Sequence, residues 1–161
     1  MGSTANDTFN TAVRDNRSAL MTYARSITAN TWAADEAVQE TLIRAWRYWP
    51  TFRNQSHVLT WLITICRRVV IDMASRNVTH EPINDEVLKM TATTNDIGLQ
   101  DLLSELPMAQ REVIVLCSII GYDYETAARI LDVPVGTVRS RLSRARLSLS
   151  QKIDGAHRDV I

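Results

Sequence analysis

"PVGTVRSRLSRARLSL", residues Pro134 to Leu149, carries four arginines (Arg139, Arg141, Arg144 and Arg146) within eight residues that contain no acid. The whole chain of 161 residues has 18 basic and 18 acidic side chains and no formal net charge, so this local excess needs a cause. Turned at about 100° per residue, the stretch gathers Val138, Leu142, Ala145 and Leu149 on one stripe, the pattern of a helix resting on a core. Ser140, Ser143 and Leu147 lie opposite that stripe, flanked by Arg139 and Arg144, and Arg141 and Arg146 fall at its borders.

The residues just before it complete a motif. Asp123 is a good N-cap for a helix over "YETAARIL" that starts at Tyr124 and has Glu125 in its first turn. Asp132, Val133 and Pro134 make a tight turn, and Ala127 and Ala128 are small enough for two helices to cross closely. The result is a helix-turn-helix. Short serines at the centre of the outer face let the helix approach base edges, with Arg139 and Arg144 in reach of guanine acceptors or phosphates on either side. Arg141 and Arg146 suit backbone phosphates or internal ion pairs with Asp132 or Glu112. Thr137, Arg139, Ser140, Ser143, Arg144 and Arg146 are the expected DNA-reading set.

Spacings of three and four recur along the rest of the chain and period-two alternation is nowhere sustained, so the fold class is all-α. A first helix is expected from about Thr8 to Thr28. A second starts near Ala33 or Ala34, with Asp35 and Glu36 in its first turn, Val38, Leu42, Ala45 and Trp46 as its inner stripe, and Pro50 as its end. The polar loop "TFRNQSHV" leads into "LTWLITICRRVVIDMASR", where Trp61, Leu62, Ile65, Val69 and Met73 share a face and Trp61 reads as core. After Arg76 the periodicity stops in a segment rich in Thr, Asn and Asp, which reads as a flexible linker over 77–96. Helices over "GLQDLLSEL" and "MAQREVIVLCSII" follow, the first closed by Pro107 and the second by Gly121, ahead of the helix-turn-helix. The expected organisation is two small helical domains, 8–76 and 97–153, around that linker.

The charge balance hides a partition: residues 135–153 hold four arginines and a lysine without an acid, whereas 77–110 hold six acids and only Lys89. Cys66 and Cys117 each sit in an apolar helical pattern, which gives no disulfide framework, reads both as buried and suits a reducing compartment. No apolar run reaches the roughly 20 residues of a membrane span, and the polar N-terminus lacks the apolar core of a signal peptide, so a cytoplasmic location is expected. Scattered histidines, no cysteine pair with metal spacing and no glycine-rich phosphate loop give no support to an enzyme, a metal or a cofactor.

"LPMAQREVIVLCSIIGYDYETAARILDVPVGTVRSRLSRAR" resembles region 4 of bacterial extracytoplasmic function sigma factors, and "DEAVQETLIRAW" with "TWLITICRRVVIDMASR" resembles their region 2. The resemblance implies a dissociable specificity subunit of bacterial core RNA polymerase that reads promoter DNA and is held by an anti-sigma factor. It places polymerase binding on the outer side of the second helix, at Asp35, Gln39, Glu40, Ile43, Arg44 and Arg47. It places reading of the minus-10 element on Phe52, Arg53, Asn54, Gln55, Ser56 and His57, with Arg67 and Arg68 along the strand backbone, and reading of the minus-35 element on the arginine helix. Phe52 supplies a stacking surface, and the other loop residues supply cation and polar groups for an extruded base. Arg68 stands where many relatives have asparagine and Ser143 where a bulkier residue is common, so the preferred bases do not carry over. The resemblance also implies that the acidic linker, which by composition alone reads as a solvated connection, threads through a positively charged channel of the polymerase. Two rivals are a sigma-like decoy that sequesters an anti-sigma factor without binding DNA and a one-component helix-turn-helix regulator; neither accounts for a strand-reading loop and a basic recognition helix in one chain.

Overall fold

The computed structural model describes residues 2–28, 30–54, 56–77 and 96–158, with side chains described for 4–28, 30–54, 56–76 and 98–155. The described residues form helices and short connections, with no strand among them. The chain divides into two compact units, Met1–Lys89 and Met90–Ile161. Nearly all of the expected linker lies outside the described residues.

In the first unit α1 (Gly2–Ile27), α2 (Thr31–Tyr48) and α3 (Val58–Asn77) each pack against the other two. Leu20, Tyr23, Ala24 and Ile27 of α1 meet Ala34, Ala37, Val38 and Ala45 of α2 and Leu62, Ile63, Cys66, Val69 and Val70 of α3, all buried. Three alanines on the inner face of α2 let its backbone come close to both neighbours. Thr41 is buried with them and satisfies its hydroxyl by donating to the Ala37 carbonyl at 2.6 Å.

Several expectations for this unit are corrected. The first helix starts at Gly2, not Thr8. The second starts at Thr31 because the Asn30 side chain accepts from the Ala33 N–H at 2.8 Å, a strong N-cap one residue before the helix. Asp35 and Glu36 therefore lie beyond the first turn, and the dipole argument for them lapses. Trp46, expected in the core stripe, is 44% exposed. On α3 the buried face runs through Leu62, Ile63, Cys66, Val69 and Val70, one position round from the expected one; Trp61, Ile65 and Met73 are only half-buried.

The second unit contains α4 (Asp96–Ser104), α5 (Met108–Ile114) continued by a π-helical segment Val115–Ile120, α6 (Tyr124–Leu131) and α7 (Val135–Arg158). Gly121 stops the π-helical segment with φ 90°, a left-handed conformation that costs glycine little, and both its N–H and that of Tyr122 reach the Leu116 carbonyl. Helix α7 packs on α5 and α6, burying Val138, Leu142 and Ala145 against a core that includes Leu103, Val113, Leu116, Ala127 and Leu131. It runs five residues past the expected Ile153, and Lys152 pairs with Glu105.

Candidate nucleic-acid interface

The helix-turn-helix is built as the sequence predicts. Asp123 caps α6 by accepting from the Thr126 N–H at 2.7 Å, and hydrogen bonds from the Thr126 side chain first and from that N–H second hold its carboxyl below the usual range. Asp132 ends α6 at φ 53°, a left-handed residue that turns the chain so that Pro134 can accept from Thr137 and Val138 at the start of α7. With Val138, Leu142 and Ala145 buried, Arg139, Ser140, Ser143, Arg144 and Arg146 are exposed and Thr137 is half-buried at the first turn. Leu147, on the same outer side, is 61% exposed.

The four arginines part company in the structure. Arg139 lies over the Tyr124 ring at 5.9 Å from its centroid, a cation–π contact that joins the recognition helix to the first residue of α6. Arg141 is half-buried and Arg146 is exposed. Among the described residues neither makes an ion pair with Asp132. Glu112 itself is buried at 2% exposure.

In the first unit the chain leaves α2 through a 3-10 turn, Trp49–Thr51, that holds Pro50. Arg53, Asn54, Ser56 and His57 are exposed after it, Asn54 with φ 53°; Gln55 lies outside the described residues. Phe52 is half-buried and not an open stacking surface, because Trp49 stacks on it at 5.5 Å and Trp61 stands 4.7 Å away. Trp49 and Phe9 extend this group to Trp46, making a run of five aromatic side chains from α1 to α3. Arg67 is half-buried and Arg68 exposed farther along α3.

On α2, Asp35, Gln39, Ile43 and Arg47 are exposed, Ile43 at 52%. Glu40 and Arg44 are half-buried and paired: Arg44 donates from Nε to Glu40 at 2.8 Å and from Nη1 to Asp72 of α3 at 2.9 Å. These two acceptors, Glu40 foremost, push the guanidinium pKa up. Trp32 at 61% and Trp46 at 44% exposure add apolar surface to the same helix. A helix period puts Trp32, Gln39, Ile43 and Trp46 within about a quarter-turn of one another.

Asp72, Tyr124, Trp32 and Trp49 escaped sequence reasoning. Asp72 is 28 positions from Arg44, and only the α2–α3 packing brings them together. Tyr124 could have been found, since it opens α6, the helix packed against the one that carries Arg139. Cys66 is buried, and burial pushes its thiol up to about 11 against a weaker opposing hydrogen bond with Thr41. Cys117 is only partly buried, a correction to the expected pair of core cysteines.

The sequence matches the Sigma-70 region 2 family over residues 12–79 and the Sigma-70, region 4 family over residues 97–149. It is 35% identical over 147 residues to the ECF RNA polymerase sigma factor EcfG of Rhodopseudomonas palustris (strain TIE-1), covering 85% of this chain and 81% of that one. Among solved structures it resembles the sigma factor RpoE of Bartonella quintana, crystallised with the anti-sigma factor NepR, at 28% identity and a TM-score of 0.76 over 91% of this chain and 97% of that one. It also resembles CnrH in complex with the cytosolic domain of CnrY, at 27% identity and a TM-score of 0.72 over 93% and 90% of the two chains. With both halves matched in order and relatives covered over most of their length, the chain belongs to the ECF group of RNA polymerase sigma factors.

Proposed function

We propose that this sigma factor directs core RNA polymerase to promoters through two readers, a region 2 domain over 8–76 and a region 4 domain over 97–153, joined by residues 77–96. The observation that carries the reading is the outer face of α7: Arg139, Ser140, Ser143 and Arg144 stand exposed opposite the buried Val138, Leu142 and Ala145. A helix presenting short polar groups between two cations fits a major groove. Thr137 and Arg146 add polar and phosphate contacts to the minus-35 element. Arg53, Asn54, Gln55, Ser56 and His57 receive a base of the minus-10 strand, with Phe52 as the root of that loop and Arg67 and Arg68 along the backbone.

Polymerase binds the outer face of α2, where Asp35, Gln39, Ile43 and Arg47 make direct contact and Glu40 and Arg44 frame them. An isoleucine half-exposed among charged residues suits a protein interface better than open solvent. The chain works in the cytoplasm without chemistry of its own; no described helix is long and apolar enough to cross a membrane. Since RpoE was crystallised with an anti-sigma factor, we extend that mode of control to this chain. The exposed basic face of α7 disfavours a decoy, which has no use for it.

The deciding experiment combines the purified chain with bacterial core polymerase on fragmented genomic DNA and sequences the transcript starts against core alone. New starts sharing a two-part upstream motif are expected. Binding to core without new starts, or no binding at all, would overturn the reading.

A further inference from the structure

Three half-buried rings close on one another where α2 hands the chain to the strand-reading loop. Trp49 stacks on Phe52 at 5.5 Å with 18° between the planes, Phe52 lies 4.7 Å from Trp61, and Trp49 stands 6.1 Å from Trp61, so each ring meets both others. The buried Phe9 of α1 sets its edge against Trp49 at 5.3 Å, and Trp49 Nε1 donates to the Thr8 hydroxyl at 3.4 Å.

The main chain fastens both ends of the loop to the same three rings. The Phe52 N–H donates to the Trp49 carbonyl and the Trp61 N–H to the His57 carbonyl, each at 3.1 Å. Thr51 closes the turn by donating to the Tyr48 carbonyl at 2.8 Å. The residues that begin and end the loop are thus tied to a ring cluster that is itself anchored on α1, and a loop whose ends are fixed before binding loses less freedom when a ligand settles into it.

From this geometry we propose that Trp49 is a positioning residue for promoter opening: through its ring contacts with Phe52 and Trp61 it sets the backbone that presents Arg53, Asn54, Ser56 and His57 to a single strand. Trp49 touches no base. It acts by fixing the distance between the end of α2 and the start of α3, which is the span the loop must bridge. The inference deepens the reading of that loop as the minus-10 reader and rests on it.

The test uses the full chain bound to core polymerase, with Trp49→Leu, Trp49→Phe, Arg53→Ala and His57→Ala variants. Affinity is measured for core, for a duplex carrying the upstream element alone, and for a single-stranded oligonucleotide of the downstream element identified by transcript-start mapping. Trp49→Leu is expected to weaken single-strand binding about tenfold, the order of one or two lost aromatic pairs, and Trp49→Phe to stay within about threefold of the parent. Affinity for core and for the upstream element should stay unchanged in both.

Unaltered single-strand affinity in Trp49→Leu overturns the proposal. So does a parallel loss of core and single-strand affinity, which would mean that the tryptophan only supports the domain. If Arg53→Ala and His57→Ala both leave single-strand affinity intact, the loop is not the reader and the assignment beneath the proposal falls with it. If they weaken it while Trp49→Leu does not, the positioning role alone is refuted.

Discussion

Arg44 sits in the face assigned to polymerase, yet its guanidinium is already engaged by Glu40 on its own helix and Asp72 on the next. How much does that engagement hold α2 against α3? Two unit charges 2.9 Å apart attract by about 1.4 kcal/mol in bulk water and about 6 kcal/mol at an effective dielectric of 20. The side chains of Arg44, Glu40 and Asp72 are 25%, 41% and 47% exposed, so solvent screens both carboxylates and the lower figure governs. Ordering the side chains subtracts further, leaving about 0.5–1 kcal/mol for each pair. A double-mutant cycle between Arg44→Met and Asp72→Asn should therefore return a coupling of about 0.7 kcal/mol, a threefold change in the unfolding equilibrium. Methionine keeps the apolar stem, which isolates the charge from the packing.

All four tryptophans (Trp32, Trp46, Trp49 and Trp61) lie in the first unit, so their fluorescence in urea reports its unfolding within the intact chain. In 1 M salt, where the screening length is about 3 Å, the coupling should shrink. A coupling below about 0.2 kcal/mol at low salt, or one indifferent to salt, would refute the claim that Arg44 ties the two helices electrostatically. The same variants separate two roles at the polymerase face. Asp72→Asn releases one arm of Arg44: if the arginine contacts polymerase directly, affinity for core is kept or raised, and if it serves by fixing α2, affinity falls as it does in Arg44→Met.

Three further outcomes are expected. Replacing Tyr124 by Leu removes the ring under Arg139 and should weaken binding to the upstream element about threefold while Tyr124→Phe does not, measured by fluorescence anisotropy; equal loss in both would point to the hydroxyl instead. Cys66, with its thiol pushed up to about 11, should resist alkylation at pH 8 until the first unit unfolds, while the partly exposed Cys117 reacts first, as mass spectrometry after timed quenching would show. Asp123 has a folded pKa below its unfolded value, so its cap stabilises the second unit above about pH 4 and the contribution is lost as pH falls through the folded value; circular dichroism melts should show an acid-side loss that is smaller in Asp123→Asn, which keeps a capping oxygen without the titration.

What the sequence could convey followed from how local each signal was. The α6 boundaries at Tyr124 and Leu131 and the buried stripe of α7 were legible because a cap, a turn and a helix period all lie within a few residues of the groups they position. The start of α2 was missed because two acidic residues looked like a first turn while Asn30, three residues earlier than the expected start, made the real cap. Trp46 and Trp61 were misjudged for a different reason. A period shows which side of a helix is apolar but not how wide its buried part is, and in this bundle Tyr23 is fully buried while Trp46 and Trp61 fall at the rim. There they gather with Phe9, Trp49 and Phe52, a cluster drawn from α1, α2, the turn and loop after it, and α3, which no single window of sequence contains.

A neutral chain that binds a polyanion looks contradictory only if charge is averaged over its length. Within the second unit, residues 97–134 hold two arginines against six acids, and residues 135–153 hold four arginines and a lysine against none. The acids lie on α4 and just after it, on α5, on the cap and first turn of α6 and on the turn after it, and five of the seven bases lie on α7, so the unit carries a directed field in place of a net one. On the proposed reading of α7, such a field attracts DNA to that helix and repels it from the acid-rich elements, which limits nonspecific coating of DNA by the free protein. It also makes orientation, more than total affinity, the quantity that salt should change. Adding salt weakens phosphate contacts because the counterions displaced on binding gain less entropy in a more concentrated solution, but it equally relaxes the repulsion of the wrong face. The isolated charge reversals Glu125→Lys and Asp101→Lys, both exposed and on elements other than α7, should accordingly raise nonspecific binding more than promoter binding. A matched rise in both would mean that the acids tune only the net charge.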